Sequence, residues 1–379
     1  MRVAIIFTGL GVLPERKNNI SGHLQIPLKT AELLIGKNHD VTLITTRQSD
    51  GLAVPDMLPV DACLEYVSDG RRRGQFGKQN YKDGYVVNKM LSQLFQTVML
   101  IRKGNYDVVH VFGFERMMKY GGFLKLVTGK SVVVTVLGQK PRNGFSFLYN
   151  RVDMVMFLTE SIARKWENIC KRSQVIYPGV VKKMQSKPGG SAIEHGRFRV
   201  LFWREASYMG GADLCVEAFD NIAPKFPNLS FDFAVRSNSS EVPGLDSLGE
   251  KHENVNIFRF PYPNDTTLEK LIDQSLVVVL PFRELSIEPQ MAVVETLSVG
   301  CPVICSKIGC LPELVAHGEN GWLVESEDVS SLISILENKL DNIGVLEGMR
   351  QRIAINFNNK WNWSIYCKKL ENTYLRLQD

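Results

Sequence analysis

The chain has 379 residues, 44% of them hydrophobic and 22% charged, which is the balance of a globular protein long enough for two domains. No apolar run approaches the roughly 20 residues that cross a bilayer, and the apolar run near the N-terminus is too short for a signal peptide. We therefore expect a cytoplasmic protein. The seven cysteines fit no zinc-binding spacing, so no metal site is expected.

Positive charge is concentrated in the first half of the chain. Residues 1–190 hold 28 Lys and Arg against 14 Asp and Glu, whereas the remainder holds 17 against 26. The most visible basic positions are Arg71, Arg72, Arg73, Arg102, Lys103, Lys119, Lys125 and Lys130. A solvated basic face would explain this asymmetry, and so would an anionic membrane surface or an anionic acceptor.

The first half alternates β-branched runs with segments of helical length. The predicted strands are Val3–Phe7, Val41–Thr45, Val108–Phe112, Val132–Leu137 and Met154–Leu158, and the predicted helices are Pro27–Ile35 and Lys89–Arg102. Strands separated by helices indicate βαβ units and a parallel sheet.

A second series of the same kind follows residues 182–196, a polar segment that we interpret as a linker. Its predicted strands are Phe198–Trp203, Leu229–Val235, Val255–Phe258, Leu276–Leu280 and Val303–Cys305. The sequence thus predicts an α/β protein with two doubly wound halves. The tail, Trp361–Leu377, is predicted to be helical, because its aromatic and apolar residues recur at near-helical spacing.

The strongest functional signal is the segment Ile287–Val315, which reads IEPQMAVVETLSVGCPVICSKIGCLPELV. Its pattern predicts loop, helix, turn, strand and loop, with Pro289 at the first helical position directly after Glu288. A helix N-terminus presents unpaired N–H groups and a partial positive charge, so it suits a phosphate group. Glu295, one to two turns into this helix, is placed to accept hydrogen bonds from sugar hydroxyls.

The same segment resembles the donor-site signature of the retaining GT-B glycosyltransferases of the family 4 type, the glycosyl transferases group 1. That signature reads E-x7-E, then A-M-A-x-G-x-P-V and a G-G-x-P-E turn. Glu295–Val303 matches in register, and Gly309–Glu313 matches with Cys310 in place of the second glycine. Further similar stretches are His317–Val324, Gly36–Thr45, Asp107–His110 and Tyr177–Val180.

The resemblance implies a GT-B fold, with two Rossmann-like doubly wound domains facing a cleft. We expect an acceptor domain over residues 1–185, a nucleotide-sugar domain over 186–358, and a helix over 359–379 that crosses back to the first domain. The implied activity is the transfer of a sugar, with retention, from a nucleotide-sugar donor to a glycan or lipid-linked acceptor, in cell-surface polysaccharide or glycoconjugate synthesis.

The same resemblance sets the expected ligands and partners. The nucleotide-sugar is a substrate, so no cofactor is expected. The sequence has no Asp-x-Asp motif, so a metal bridging the diphosphate is not expected either. An anionic membrane surface, at the inner face of the membrane, is a candidate partner for the basic half, and no nucleic acid is expected.

By this resemblance the donor contacts fall mainly on the second half. Glu295 would bind the ribose hydroxyls, and the backbone N–H groups of Met291 and Ala292 would bind phosphate. Glu288 lies one residue closer to Glu295 than the family pattern has it, so it would either bind a donor-sugar hydroxyl or only favour the helix N-terminus. Arg204 would clamp the diphosphate during catalysis through its forked guanidinium, unless it forms a structural salt bridge.

Two positions depart from the family pattern. Gly210 stands where the diphosphate clamp has a lysine, and Phe112 stands where a functional histidine commonly follows the strand that carries His110. On the acceptor side we therefore consider His110, Phe112 and Gly138, although a strand histidine is more often a core residue and a glycine also suits a tight turn. Gly22 sits where the family has a Gly-Gly loop and is assigned to the donor side.

The missing lysine leaves two hypotheses open. Arg236 or Arg283 could supply the second cation, unless each forms a structural ion pair. Alternatively, the chain is a catalytically silent GT-B protein that binds a glycan or a partner protein.

Overall fold

The computed structural model describes residues 1–10, 22–47, 54–67, 83–138, 146–180, 193–194, 197–236, 242–263, 266–285 and 287–378. The chain forms two compact units, the first comprising Met1–Val181 and Trp363–Asp379 and the second Lys182–Asn362. Each unit is built around a parallel sheet with helices, so the predicted α/β class is confirmed. None of the described helices is long and apolar enough to cross a membrane.

The first unit contains a seven-stranded parallel sheet. Its strands are β1 (Arg2–Leu10), β2 (Asp40–Arg47), β3 (Cys63–Val67), β4 (Val108–Gly113), β5 (Ser131–Val136), β6 (Met154–Phe157) and β7 (Ser173–Val175). They are ordered β3-β2-β1-β4-β5-β6-β7. Side chains of the central strands β4 and β5 are almost all buried, because both faces of a parallel sheet are covered.

The helices of this unit connect the strands. They are α1 (Gly22–Ile35), α2 (Asp83–Gly104), α3 (Glu115–Thr128) and α4 (Glu160–Lys165), with a 3-10 helix at Ser146–Arg151. The edge strands β3 and β7 have no counterpart among the predicted strands. Their side chains are largely half-buried or exposed, so they lack the continuous apolar run that marks the inner strands.

The second unit has six parallel strands and one short antiparallel strand. The strands are β8 (Ile193–Glu194), β9 (Arg197–Trp203), β10 (Leu229–Arg236), β11 (Val255–Phe260), β12 (Ser275–Leu280), β13 (Val303–Ser306) and β14 (Gly321–Val324). The parallel strands are ordered β11-β10-β9-β12-β13-β14, and β8 pairs with the start of β9. Strand β8 lies inside the predicted linker, the rest of which is outside the described residues.

The helices of the second unit are α5 (Ala212–Ile222), α6 (Leu245–Lys251), α7 (Leu268–Asp273), α8 (Met291–Ser298), α9 (Leu311–Leu314), α10 (Val329–Leu340) and α11 (Ile343–Lys360), with a 3-10 helix at Ala223–Lys225. Phe202, Phe219, Phe231 and Phe233 are fully buried in its core. Their rings pack with centroids 5.1 to 5.6 Å apart.

The last helix, α12 (Trp363–Arg376), packs into the first unit. The side chains of Tyr366, Leu370 and Tyr374 are fully buried there. The Tyr366 hydroxyl lies 2.9 Å from the Thr30 hydroxyl, and the Tyr374 hydroxyl lies 2.5 Å from Nδ1 of His110. These buried polar contacts fix the rotation of α12 on the sheet as well as its position.

Candidate functional site

The sheet of the second unit has a topological switch point between β9 and β12. Strands β10 and β11 lie on one side of β9, and β12 to β14 lie on the other. The segments that leave β9 and β12 therefore diverge, and in open α/β sheets ligands bind in the crevice formed at the carboxyl ends of such strands. Arg204 directly follows β9, and Phe282 lies just beyond the end of β12.

Arg204 is a half-buried cation for which the described residues supply no hydrogen-bond acceptor. Its Cζ lies 4.5 Å from the centre of the Phe282 ring. Its Nε and Nη1 atoms are shielded from solvent and make no hydrogen bond to the described residues. Burial lowers the pKa of Arg204 to about 10, so the guanidinium remains charged at neutral pH. Because a buried charged donor without an acceptor is costly, the site is suited to an anion.

Of the two arginines considered as a second cation, Arg283 already forms ion pairs with protein carboxylates. It makes a two-pronged ion pair with Asp213, at 2.6 and 2.8 Å, and its Nε lies 3.0 Å from Glu327. Arg236, at the end of β10, is less engaged, because its side chain is 41% exposed and Glu205 is 3.9 Å away. Arg236 also contributes to lowering the pKa of Arg204, so it is the cation placed to share an anion with Arg204.

The backbone of Gly210 lies close against the side chain of Arg204. A Cβ atom at Gly210 would lie 3.1 Å from Nε of Arg204 and 3.0 Å from Oγ of Ser207. At Gly211, φ is +73° and a Cβ would lie 1.9 Å from the carbonyl oxygen of Pro281, so that position requires glycine. The turn after β9 therefore packs directly onto the turn after β12, and a side chain at Gly210 would require Arg204 and Ser207 to shift by a few tenths of an ångström.

Helix α8 begins at Met291, so the prediction that Pro289 occupies the first helical position is wrong. The side chain of Gln290 donates to the carbonyl of Ile287 at 2.8 Å, which forms one more turn before the helix. The amides of residues 293 and 294 both donate to the carbonyl of Gln290. The amides of Met291 and Ala292 therefore lie in the first turn, where a helix has no acceptor for its N–H groups.

Glu288 is almost completely buried beside the turn that follows β13. Glu288 is only 3% exposed. A Cβ atom built at Gly309 would lie 3.3 Å from Oε1 of Glu288. Ser306, the last residue of β13, is fully buried, and its hydroxyl has no hydrogen-bond partner among the described residues. Glu288 and Ser306 thus add acceptor and hydroxyl groups to the carboxyl edge that holds Arg204.

Glu295 lies in the second turn of α8 and is half-buried. The next residue, Thr296, accepts a hydrogen bond from Nε1 of Trp203 at 3.0 Å and donates to the carbonyl of Ala292 at 2.7 Å. Trp203 directly precedes Arg204. The structure therefore brings the sequence-predicted residues of the second unit to one carboxyl edge, with α8 attached to the end of β9.

The residues assigned to the first unit are more dispersed. His110 is fully buried between the hydroxyls of Tyr374 and Thr135, at 2.5 and 2.7 Å, and burial lowers its pKa to about 3. It therefore lies in the core of the sheet. Phe112 stacks on His110 with ring centres 4.0 Å apart and lies near the carboxyl end of β4. Gly138 lies just after β5, with φ of +132°.

Gly22 is the first residue of α1, and the loop before it is outside the described residues. Within the described part of the chain, no group of three or more His, Cys, Asp or Glu side chains is arranged to hold a metal ion.

Sequence reasoning missed three residues that the structure places at the carboxyl edges. They are Phe282, Ser306 and Thr45. Thr45 and Ser306 share a detectable signal, since each is a hydroxyl residue in the last three positions of a parallel strand. Phe282 carries no such signal, because its role depends on a contact with Arg204 from a distant part of the sequence.

Residues 184–356 match the model of the family described as glycosyl transferases group 1. The spore coat protein SA of Bacillus subtilis is 23% identical over 377 residues, a match that covers 89% of this chain and 92% of that protein. An uncharacterized glycosyltransferase of Haemophilus influenzae is 20% identical over 337 residues, covering 85% and 87% of the two chains.

Solved structures share the fold across nearly the whole chain. Sucrose-phosphate synthase of Thermosynechococcus elongatus aligns with a TM-score of 0.73 at 14% identity, covering 99% of this chain and 98% of that one. Anabaena HepE, solved in complex with UDP-glucose, aligns with a TM-score of 0.69 at 13% identity, covering 98% and 99%. The two Rossmann-like units are those of the GT-B glycosyltransferase fold, so the predicted fold is confirmed.

Proposed function

We propose, from the match of residues 184–356 to the glycosyl transferases group 1, that this protein moves a sugar, with retention, from a nucleotide-sugar donor to a glycan or lipid-linked acceptor. The proposed donor site is the carboxyl edge of the second sheet. The UDP-glucose complex of HepE supports a donor of this chemical class. A role in cell-surface polysaccharide or glycoconjugate synthesis, without a metal ion or cofactor, is part of the same proposal.

The observation that carries this proposal is the unpartnered guanidinium of Arg204. Two of its nitrogen atoms are buried and lack acceptors among the described residues, although the side chain remains charged. A diphosphate would supply both the acceptors and the negative charge. Arg236 would add a second positive charge, and the amides of Met291 and Ala292 would add neutral donors at the start of α8.

The proposed chemistry follows from where charge develops. As the bond between the sugar and the diphosphate breaks, negative charge accumulates on the leaving phosphate. A cation already fixed in a water-poor site stabilises that charge without reorganising. Glu295 would hold the ribose hydroxyls, and Glu288 a hydroxyl of the donor sugar. The departing phosphate can accept the proton of the acceptor hydroxyl, so Phe112 in place of a histidine is compatible with transfer.

The basic first half supports an anionic partner in the same proposal. Exposed cations lie next to exposed apolar residues on α2, where Phe95 is 67% and Met99 is 52% exposed. Arg102 and Lys103 lie in the last turn of the same helix. An anionic membrane surface would match both features and would bring the enzyme to a lipid-linked acceptor.

The proposal is tested by thermal unfolding with UDP, GDP, ADP and their glucose conjugates. A bound ligand at about 100 times its Kd stabilises a protein by about 2.7 kcal/mol, which for a unit of this size is a rise in Tm of roughly 5–10 °C. We expect one nucleotide series to raise Tm in the wild type and Arg204→Ala to lose most of that response. Arg259→Ala, which removes an exposed arginine paired with Asp246, is the matched control and should keep it. The absence of any nucleotide response in the wild type, or an unchanged response in Arg204→Ala, would refute the assignment.

A further inference from the structure

One face of the first unit exposes a set of large apolar side chains. Crossover connections in a parallel sheet are right-handed, so the direction in which the chain moves across the sheet decides which face a helix covers. The connections from β3 to β4, β4 to β5 and β5 to β6 all run in the same direction. Their helices α2, α3 and the 3-10 helix therefore lie on one face of the sheet. Five large apolar residues on these elements are between 37% and 67% exposed, namely Phe95, Met99, Phe123, Leu126 and Phe147.

The three elements are packed against one another. Helix α3 contacts both α2 and the 3-10 helix. Nη2 of Arg102, on α2, donates to the carbonyl of Val127 on α3 at 2.8 Å. A Cβ atom at Gly122 would lie 2.1 Å from the carbonyl oxygen of Leu148, so α3 approaches the 3-10 helix with direct backbone contact. The five apolar residues therefore lie on adjoining parts of one surface, which we call the docking face.

The docking face combines these apolar residues with positive charge. Lys103, Arg116 and Arg151 are exposed, one on each of the three elements. Glu115 is the one carboxylate among the described side chains of these elements, and it is only 4% exposed. A surface with exposed aromatic and aliphatic side chains, exposed cations and hardly any exposed carboxylate complements a layer that is both anionic and apolar.

We propose that the docking face binds an anionic phospholipid membrane. The five apolar side chains enter the layer of lipid headgroups, and the cations lie among the lipid phosphates. Binding of this kind gains from the apolar area that leaves water and from the attraction of each Lys or Arg to anionic lipid. The proposal deepens the proposed function, because it assigns the membrane contact to three packed elements and predicts an apolar part of the binding that salt does not screen.

Two other occupants fit the docking face less well. A second copy of the chain, bound through the same face in a symmetric dimer, would bring the cations of the two copies together. A nucleic acid would pair its phosphates with the cations, but it would leave the five apolar side chains without an apolar partner. A membrane surface satisfies both sets of side chains.

The docking face adjoins a cavity of about 470 Å³ at the carboxyl edge of the first sheet. Gln93 and Thr97 of α2 and Arg116 and Tyr120 of α3 are part of its wall. Docking through these two helices would hold the cavity near the membrane, where an acceptor could enter it while its lipid part stays in the bilayer. This consequence rests on the proposed transferase function, whereas membrane binding itself does not require turnover.

The proposal is tested by sedimentation of the full-length protein, without donor, with vesicles made of equal parts phosphatidylglycerol and phosphatidylcholine. Vesicles of pure phosphatidylcholine are the uncharged comparison. We expect binding to the mixed vesicles and weaker binding to the uncharged ones. In about 1 M NaCl, where charges are screened beyond about 3 Å, the mixed vesicles should retain the weaker, apolar part of the binding.

Two double variants separate the charged and apolar parts of the binding, with folding checked by Tm. Lys103→Gln with Arg116→Gln should weaken binding to the mixed vesicles roughly tenfold to thirtyfold at low salt, and hardly at all at high salt. Phe95→Ser with Phe123→Ser should weaken binding about tenfold or more at both salt concentrations, since it removes apolar area that the membrane buries.

Each double variant has a matched control elsewhere in the chain. Lys368 and Lys369 are exposed on α12, which packs beside α1, and the connection from β1 to β2 places α1 on the opposite face of the sheet. Lys368→Gln with Lys369→Gln should therefore bind like the wild type. Val345 and Ile355 are each 55% exposed on α11 in the second unit, so Val345→Ser with Ile355→Ser should also leave binding unchanged.

Several results would overturn the proposal. They are no sedimentation of the folded wild type with the mixed vesicles, wild-type binding in both docking-face variants, and losses in the control variants as large as those in the docking-face variants. A dimer in light scattering that Phe95→Ser with Phe123→Ser converts to a monomer, in a protein that does not bind vesicles, would assign the face to a second copy instead.

The nucleotide response in thermal unfolding distinguishes this proposal from the transferase proposal. If the wild type responds to a nucleotide but does not bind the mixed vesicles, the docking face is wrongly assigned and the donor site stands. If it binds the vesicles through the docking face but responds to no nucleotide, the membrane contact stands and the transferase proposal fails.

Discussion

Gly210 shows how a departure from a family pattern can be compatible with the same chemistry. The turn after β9 brings the backbone of Gly210 against the side chain of Arg204. A Cβ atom there would lie 3.1 Å from Nε of Arg204. The missing lysine is therefore linked to the buried position of Arg204, and the two features form one arrangement.

This arrangement predicts that restoring the family residue will be harmful. Gly210→Lys adds a positive charge, but its Cβ would displace Arg204 by a few tenths of an ångström. Small misplacements of a catalytic group can reduce rates by about 10²-fold, so we expect transfer to fall roughly tenfold to a hundredfold. The measurement is release of nucleoside diphosphate from the best donor.

Gly210→Ala is the control, since it adds the Cβ without the ammonium group. It should lose activity to a similar extent if displacement of Arg204 is the cause. Higher activity in Gly210→Lys than in the wild type would show instead that a second cation is missing from the clamp.

For single residues, the sequence predicted which charged side chains belong to the site but not which residues contact them. Arg204, Glu288 and Glu295 were predicted from motif positions, and the structure brings them to one edge of a sheet. The cation–π contact with Phe282 was not predicted, and neither were the hydroxyls of Thr45 and Ser306, which lack a hydrogen-bond partner in the described part of the chain. These features depend on the packing of segments that are distant in sequence, which no local pattern encodes.

Among the elements, the inner strands of both sheets were predicted, whereas the edge strands β3, β7 and β14 were not, and β11 is the edge strand that was. Inner strands such as β5 and β12 are apolar along their whole length because helices cover both faces. The edge strands β3 and β7 have mixed burial and gave no clear signal. The start of α8 was placed two residues too early, because the side-chain contact of Gln290 with Ile287 cannot be inferred from the sequence.

The contact between β4 and α12 predicts a pH dependence of stability. Burial lowers the pKa of His110 to about 3, below the value of about 6.5 expected in the unfolded chain. Between these two values the unfolded chain binds a proton that the folded protein does not. Stability is therefore lost as the pH falls below about 6.5, by about 2 kcal/mol between pH 7 and pH 5.

His110→Gln should reduce this slope, because glutamine does not titrate and can still bond to a hydroxyl. The measurement is the free energy of unfolding in urea at pH 7 and pH 5 for both proteins. Other histidines contribute equally to the two proteins, so the difference isolates His110. Identical losses of stability in the two proteins would contradict the assignment of His110 as a neutral core residue.

At the scale of the whole molecule, the two units repeat one design. Each has a parallel sheet with a switch point, and each has at its carboxyl edge a buried polar group without a partner among the described residues. In the second unit that group is a guanidinium, which suits a diphosphate. In the first it is the hydroxyl of Thr45, near the end of β2.

Steady-state kinetics test most directly whether the guanidinium of Arg204 stabilises the leaving diphosphate. Release of nucleoside diphosphate from the preferred nucleotide-sugar is measured for the wild type, Arg204→Ala and Arg204→Lys, with Arg259→Ala as the control. We predict that Arg204→Ala lowers kcat by about 10²–10³, with a smaller change in KM, and that Arg204→Lys recovers only part of the rate because lysine lacks the forked geometry. A folded Arg204→Ala protein with kcat close to that of the wild type would contradict the claim.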